Sequence, residues 1–508
     1  MKLGNDVFLF YEVAKFILKF AIILSVPFEH EKTKHTEAPL ELNHHNTIKG
    51  AFCMPDLHHI KLLLGIKDKN IFITNVESKS IKNIKSLVVS ATLSKEIRRC
   101  PLCKQMNHEG MIVKNGKKKS LIQLNKCANQ LTYLALAKQR YHCRGCHTYF
   151  TANTYIVDRN CFIAKQVRYK ILEELTEKQA MTTIAKHCGV SWSTVSRTLA
   201  SLIPMTKVKR NWLPRCLLMD EFRSLKNQVG PYSFSCMDGD TGKLLDILPS
   251  RKKKALVSYF MQFERRARLK VKVIVTDMNV SYASLIKECF PKAKLVVDRF
   301  HIVKHLIRKF EDIRVRIMKS FDRNDPTQAK YYRQLKALSR LLIKRQDKLV
   351  YDKWTKWRNF GWAYLTESEV VDRLLSISDE LRIAYFYYQE ILQAFHDKEA
   401  DTFFKLVRTM PNSVPKELHS IKKAFINYES GIRLALELPY SNAKIENLHT
   451  HIKALKRVAY GFRSFRKMKT RIFLLNNLIT YESSRGESQL TFRPSHTTVR
   501  TDPYTAVQ

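Results

Sequence analysis

Asp220, Asp277 and Glu446 are the residues of this sequence best placed to do chemistry. Asp220 follows the apolar run CLLM, Asp277 follows VKVIVT, and Glu446 stands near the start of SNAKIENLHTHIKALKR. Two strand-end aspartates and a helical glutamate can hold two divalent ions roughly 3.5–4 Å apart. Ions so held activate an attacking oxygen and stabilise a leaving one, as phosphoryl transfer requires. Hard oxygen donors select Mg2+ or Mn2+. On spacing alone, three unrelated surface acids remain the rival reading. A fourth acid, Asp298, ends the apolar run AKLVV. It is either an additional metal contact or a structural partner of Arg299 or His301; His301 and Asp238 themselves read as structural.

The surroundings of Glu446 sharpen the question. From Ser441 to Arg471 the chain is crowded with Lys and Arg, and Glu446 is its single carboxylate. Phosphate drawn in by Lys453, Lys456, Arg457 and Arg463 would be repelled by a bare glutamate unless cations stood between them. The bases are therefore candidate DNA contacts, and the acid is a candidate ligand.

A second chemistry lies upstream. CPLC carries Cys100 and Cys103, and YHCRGCHTYF carries Cys143 and Cys146. Two C-x-x-C pairs can surround one Zn2+ with four thiolates, a closed structural site. The interval between the pairs is longer than is usual in a zinc ribbon. Free thiols, or a site borrowing Cys127, His108 or His147, are the alternatives. LTYLALAKQRYHC alternates as a strand leading into the second pair, as a ribbon hairpin would.

Next, LTEKQAMTTIAKHCGVSWSTVSRTLASL reads as two short helices about a turn. Thr176 with Gln179 suggests a capping box. Ile184 and Ala185 face inward, Gly189 permits the turn, and Val190, Val195 and Leu199 anchor the second helix. This spacing is that of a helix-turn-helix presenting Ser191, Trp192, Ser193, Thr194 and Arg197 to a DNA groove.

Composition agrees with such a partner. The 508 residues hold 89 Lys+Arg against 46 Asp+Glu, a formal charge of +43. That excess favours a polyanion, and its spread over the whole chain favours nucleic acid over a membrane surface. Eleven cysteines form no small disulfide framework and indicate a reducing compartment. Glu12, Lys15 and Lys19 interrupt the apolar stretch 7–28, so it reads as neither signal nor membrane span.

The elements that must position these residues follow from periodicity. After a linker over 205–215 come a strand to Asp220, a hairpin about GDTG, a helix, a strand to Asp277, a helix, a strand to Asp298 and a helix. This is a mixed α/β layer whose strands deliver acids at their C-terminal ends. Strands vanish over 310–435, where helices with Trp354, Trp357, Trp362 and YFYY (385–388) are expected. Ile445, Leu448, Ile452, Leu455 and Ala459 then recur at 3,4 spacing, predicting an amphipathic helix from about Ser441.

Taken together, the chain resembles the ISL-three family of bacterial insertion-sequence transposases, DDE enzymes of the retroviral-integrase, RNase H-like superfamily. The resemblance rests on CPLC with RYHCRGCHTYF, IAKHCGVSWSTVSRTL, LLMDEF, VIVTDMNVSYASLIKECFPKAKLVVDRFHIVKHL and SNAKIENLHTHIKALKRVAYGFRSFRKMKTRI, in family order. It implies that Asp220, Asp277 and Glu446 form the catalytic triad with two Mg2+ or Mn2+ ions. It implies a multidomain α/β protein: a zinc-ribbon region over 54–155, a helix-turn-helix over 160–204, and an RNase H-like mixed sheet over 216–309. A helical insertion over 310–435 and a C-terminal core helix over 436–484 would follow. Residues 1–53 would be an extension of no assigned function and 485–508 a flexible tail. The implied partners are double-stranded terminal inverted repeats and target DNA, met by a homodimer or larger oligomer in the bacterial cytoplasm. The rival reading is a catalytically inactive DNA-binding regulator derived from a transposase.

Overall fold

The computed structural model describes residues 57–226, 230–483 and 490–494. The expected extension over 1–53 lies outside them, as does most of the expected tail over 485–508. Within that tail a short strand is present, so it is not loose throughout.

A helix α1 (Leu57–Leu63) precedes a first sheet of β1 (Ile71–Ile81), β2 (Ile84–Leu93), β3 (Ile112–Gln123), β4 (Leu131–Cys143) and β5 (Tyr149–Thr151). Their order is β1-β2-β4-β3, with β5 also on β4. The predicted strand before the second cysteine pair is β4. Its alternate residues Thr132, Leu134 and Leu136 are fully buried, as a half-covered sheet requires. The long interval between the cysteine pairs is occupied by the β3–β4 hairpin.

Three helices follow: α2 (Lys165–Glu174), α3 (Met181–Cys188) and α4 (Trp192–Ser201). Gly189 ends α3 in the left-handed region, φ +65°, where glycine costs least. Ile184, Val195 and Leu199 are buried as expected. The Thr176–Gln179 capping box does not form. The Thr176 hydroxyl donates to Glu173 O and the Gln179 amide to Glu174 O, because these residues close α2 instead. Ala180 precedes α3 without a side-chain cap.

The second sheet contains β6 (Cys216–Arg223), β7 (Tyr232–Asp238), β8 (Leu244–Leu248), β9 (Val273–Thr276) and β10 (Lys294–Val297). Its order is β10-β9-β6-β7-β8. β6, β7 and β8 form an antiparallel meander, while β9 and β10 run parallel to β6. The segments α5 (Lys253–Phe260), α6 (Arg265–Lys270) and α7 (Val280–Cys289) cover one face through Leu256, Phe260, Ala267, Leu285 and Ile286. The helix predicted over KKKALVSYFMQFERRAR is thus two, α5 and α6.

From β10 the chain enters α8 (Arg299–Ser320), which carries it out of the sheet into the helices α9 (Pro326–Ala337) and α10 (Ser339–Ile343). A small hairpin, β11 (Thr355–Trp357) and β12 (Ala363–Leu365), interrupts the helices. Helices alone were expected here; runs of three residues are too short for strand periodicity to register. The segments α11 (Glu367–Leu375), α12 (Asp379–His396), α13 (Ala400–Arg408), α14 (Lys416–Asn427) and α15 (Glu429–Glu437) complete this part. Its aromatics are largely core: Phe310 stacks on Tyr388 at 4.7 Å, and Tyr385 is buried. α15 returns to the sheet, where Gly431 leaves room for Leu295 and Val297 of β10.

The chain ends with α16 (Ala443–Val458), α17 (Phe465–Leu475) and the pair β13 (Ile479–Ser483) and β14 (Leu490–Pro494). α16 buries Ile445, Leu448, His449, Ile452 and Leu455 against the sheet face opposite α5–α7, so helices cover both faces of the sheet.

Candidate functional site

The pleat of β6 decides which acid of MDEF can take part in a site. Leu217 and Met219 point into the core under α5–α7, whereas Leu218 and Phe222 point to the α16 side. Side chains alternate along a strand, so Asp220 faces α16 and Glu221 faces away. Glu221 accordingly pairs with Tyr282 and Arg251. The parallel pairing of β6 with β9 ends at Leu218–Val275, which brings Asp220 level with Asp277 just past the end of β9.

α16 brings Glu446 to the same place, held by polar contacts at both ends. The Asn442 amide N–H donates to Asp298 Oδ1 at 2.9 Å, and its side chain donates to Met219 O at 3.3 Å. Lys444 Nζ reaches Gly239 O at 2.9 Å. At the other end Lys456 Nζ donates to Arg223 O at 2.7 Å and Ser224 O at 3.0 Å. Lys456, expected to contact DNA, therefore spends its ammonium on the end of β6.

Asp220, Asp277, Asp298 and Glu446 form one acidic cluster with His301 among them. His301 Nδ1 lies 2.8 Å from Asp277 Oδ1 and 3.0 Å from Asp298 Oδ2. The donor atoms of Asp298, His301 and Glu446 all fall within 4.8 Å of one another; the sequence-derived trio is less tightly grouped. Asp298 is 1% exposed, and both of its oxygens are engaged, by Asn442 and by His301. Asp277 Oδ1 is buried and no donor is aligned on it, despite the nearby imidazole.

The electrostatics reflect this crowding. Burial, then the charges of Asp277 and Glu446, pushes the Asp220 carboxyl up to about 7. Burial and Asp298 raise Glu446 as well. His301 is buried, which opposes its charge, yet Asp277 and Asp298 raise it to about 10. Too many carboxylate oxygens share too little positive charge, the one imidazole of His301 being divided between Asp277 and Asp298. Those oxygens fit a divalent cation.

Sequence reasoning missed His449. It is 6% exposed; its Nε2 lies 2.7 Å from Ser235 Oγ, and its Nδ1 lies 3.4 Å from Asp220 Oδ2. Burial, then Lys453, lowers it to about 4, so it is neutral. Its place three residues after Glu446 was the available signal, because i and i+3 share a helix face. His301, read as structural, stands inside the cluster.

The four cysteines converge at the base of the first sheet. Cys100 and Cys146 Sγ are 3.8 Å apart, as are Cys103 and Cys143, and all four sulfurs lie within 4.8 Å. A tetrahedron with Zn–S of about 2.3 Å has edges of about 3.8 Å, so the sulfurs fit zinc. Cys127, His108 and His147 stand outside this group.

Of the residues expected to face a groove, Ser191, Trp192, Ser193 and Arg197 are exposed. Thr194 is 8% exposed, and its amide and hydroxyl meet Ser191 Oγ in the α4 cap; it is turned inward. Lys453, Arg457 and Arg463 are exposed on and after α16. No helix among the described residues is long and apolar enough to cross a membrane.

A DDE family model of the ISL-three type, described as "Transposase", matches residues 217–472, just over half of the chain. The transposase for insertion sequence element IS1001 from Bordetella parapertussis is 23% identical over 295 residues, 57% of this chain and 68% of that protein. A Lactococcus lactis subsp. lactis protein named "ATP-dependent protease" is 42% identical over 112 residues, 22% of this chain and 36% of that protein. The chain thus spans little more than a third of that second relative. The span of the family match and the segments that build the acidic cluster are the same stretch of sequence, and the chain belongs to the ISL-three family of insertion-sequence DDE transposases.

Proposed function

We propose that the chain binds the terminal inverted repeats of its element and catalyses divalent-metal-dependent DNA cleavage and strand transfer. The observation that carries this is the meeting of Asp220, Asp277 and Glu446, from three distant segments, in one partly buried acidic cluster. Those three side chains would hold Mg2+ or Mn2+, which would activate the attacking water or 3′-hydroxyl and stabilise the leaving oxygen. His449 orients Asp220, while Asp298 and Asn442 hold the first turn of α16 and so aim Glu446. Lys453, Arg457 and Arg463 draw in the DNA backbone.

The sheet order of a three-strand meander followed by two parallel strands supports an RNase H-like core formed by 216–309 and 436–484. The insertion would be 310–435. Residues 54–155 would be a zinc-bearing DNA-binding region, and 160–204 a helix-turn-helix reading a groove through Ser191, Trp192, Ser193 and Arg197. A linker over 205–215 joins them to the core. Assembly as a dimer or larger oligomer on DNA, at the nucleoid, belongs to the same reading.

The test is a Mg2+-dependent cleavage assay on the element's terminal DNA, beside a gel shift with the same protein. Asp220→Asn, Asp277→Asn and Glu446→Gln should each lose cleavage by at least a thousandfold while binding persists. Near-normal cleavage by Glu446→Gln would end the assignment, because an incidental glutamate would only have repelled phosphate.

A further inference from the structure

The β11–β12 hairpin carries side chains that neither the acidic cluster nor the cysteines use. Its inner face is structural: Leu365 is 4% exposed, and Trp357 Nε1 donates to Leu365 O at 3.0 Å. Its outer side is unusual. Tyr351, Trp354, Trp362 and Tyr364 are 52–64% exposed within one short stretch. Single exposed aromatics are ordinary, but a group gathered on and just before one small hairpin suits a contact surface. Lys356 pairs with Tyr364 across the strands and lies 5.2 Å from its ring centre. Lys353, Lys356 and Arg358 form no ion pair among the described residues.

The surface is also held rigid. Trp362 sits at φ +64°, a conformation that bulky residues rarely adopt. Its amide donates to Trp357 O at 3.0 Å. Gln334 of α9 holds the tip through Asn359 O at 2.8 Å, and Leu335 O accepts from Arg314 of α8 at 2.9 Å. Arg314 lies about 24 Å along α8 from Asp298, less than one turn of duplex.

We propose that this hairpin is a stacking platform for unpaired bases of the DNA on which the chain acts, a role that rests on the DNA reading above. Flat aromatic faces take bases of any sequence, while unpaired cations take the adjoining phosphates. Paired bases keep their faces inside the duplex, so the platform suits single-stranded or locally opened DNA. A second copy of the chain fits less well, because the same cations would meet head-on.

The full-length protein is titrated into a fluorescein-labelled thymidine oligonucleotide and, separately, a mixed-sequence duplex, following anisotropy. Replacing Trp354 and Trp362 together by Ala should weaken oligonucleotide binding at least about tenfold and leave duplex affinity unchanged. The paired Phe replacements should retain both. Both positions are exposed, and an unchanged melting temperature confirms folding. Oligonucleotide binding by the Ala pair equal to that of the unaltered chain overturns the platform. Loss of self-association in sedimentation, with oligonucleotide binding unchanged, overturns it in favour of a contact between copies. If the unaltered chain fails to bind the duplex, the DNA reading itself falls.

Discussion

Asp220 shows how a crowded acidic cluster stores instability. Its carboxyl titrates near 7 because burial and two neighbouring acids penalise its charge. Its folded pKa is raised, so the metal-free folded chain holds this proton more tightly than the unfolded chain does. The contribution of Asp220 to stability therefore falls as pH rises from about 4 to about 7, against an opposing gain from His449, which is buried neutral. Asp220→Asn removes that penalty and should stabilise the metal-free protein at pH 8 by roughly 2–4 kcal/mol, although on the proposed function it should abolish cleavage. Melting curves in chelator at pH 5 and pH 8 check this; lower stability of the variant at pH 8 would contradict it. His449 acts on the same carboxylate without charge of its own. His449→Ala should lower cleavage roughly 10- to 100-fold and raise the Mn2+ concentration needed for half-maximal rate. An unchanged metal requirement would leave His449 a packing residue only.

The four-cysteine cluster and α16 are elements held in place from outside their own hydrogen bonds. In the first sheet, Cys143 closes β4 while Cys100 and Cys103 sit on a turn before β3, so one ion would clamp both ends of a long excursion. About one zinc per chain is expected, with Cys143→Ser lowering zinc content and chelation exposing the β3–β4 hairpin to protease. Metal analysis showing no zinc would refute the site. α16 is fastened instead by Asn442, Lys444 and Lys456 to carbonyls of the sheet. A lysine that bonds two carbonyls is not a spare phosphate contact, which is why the proposed DNA contacts keep Lys453 and Arg457 but not Lys456.

The described residues from Leu57 onward form one compact unit, and α17 shows how its parts are joined. Lys467 Nζ donates to Ser196 Oγ of α4 at 2.6 Å, and the 1%-exposed Arg471 donates to Glu177 O at 2.6 Å. The helix following Glu446 thus grips the proposed DNA-reading helices directly. With a formal charge of +43, binding of the whole chain to terminal DNA should weaken steeply with salt. For each phosphate contacted, log K should fall by about 0.9 per tenfold rise in salt. A nearly flat salt dependence in anisotropy titrations would show that the excess charge does not face DNA.

Local periodicity made much of this molecule legible. The apolar runs before Asp277 and Asp298 became strands that stop just short of those acids, whereas β6 runs on past Asp220 to Arg223, so that acid sits within its strand and not at the end. The 3,4 spacing of α16 became its helix, and the paired C-x-x-C motifs converged. Each depends on neighbours within a few residues, which a sequence displays directly. The capping box failed because Thr176 and Gln179 had nearer partners in the preceding helix, and a three-residue hairpin is too short to leave a period. The roles of Thr194 and Lys456, and the entry of His301 and His449 into the acidic cluster, were not legible. Asn442 and Met219 meet across 223 residues of sequence. Such meetings depend on strand register and on which face of the sheet a helix covers. Even the choice between Asp220 and Glu221 rests there: both are acids in MDEF, and only the pleat of β6 against α16 turns one toward Glu446 and the other away.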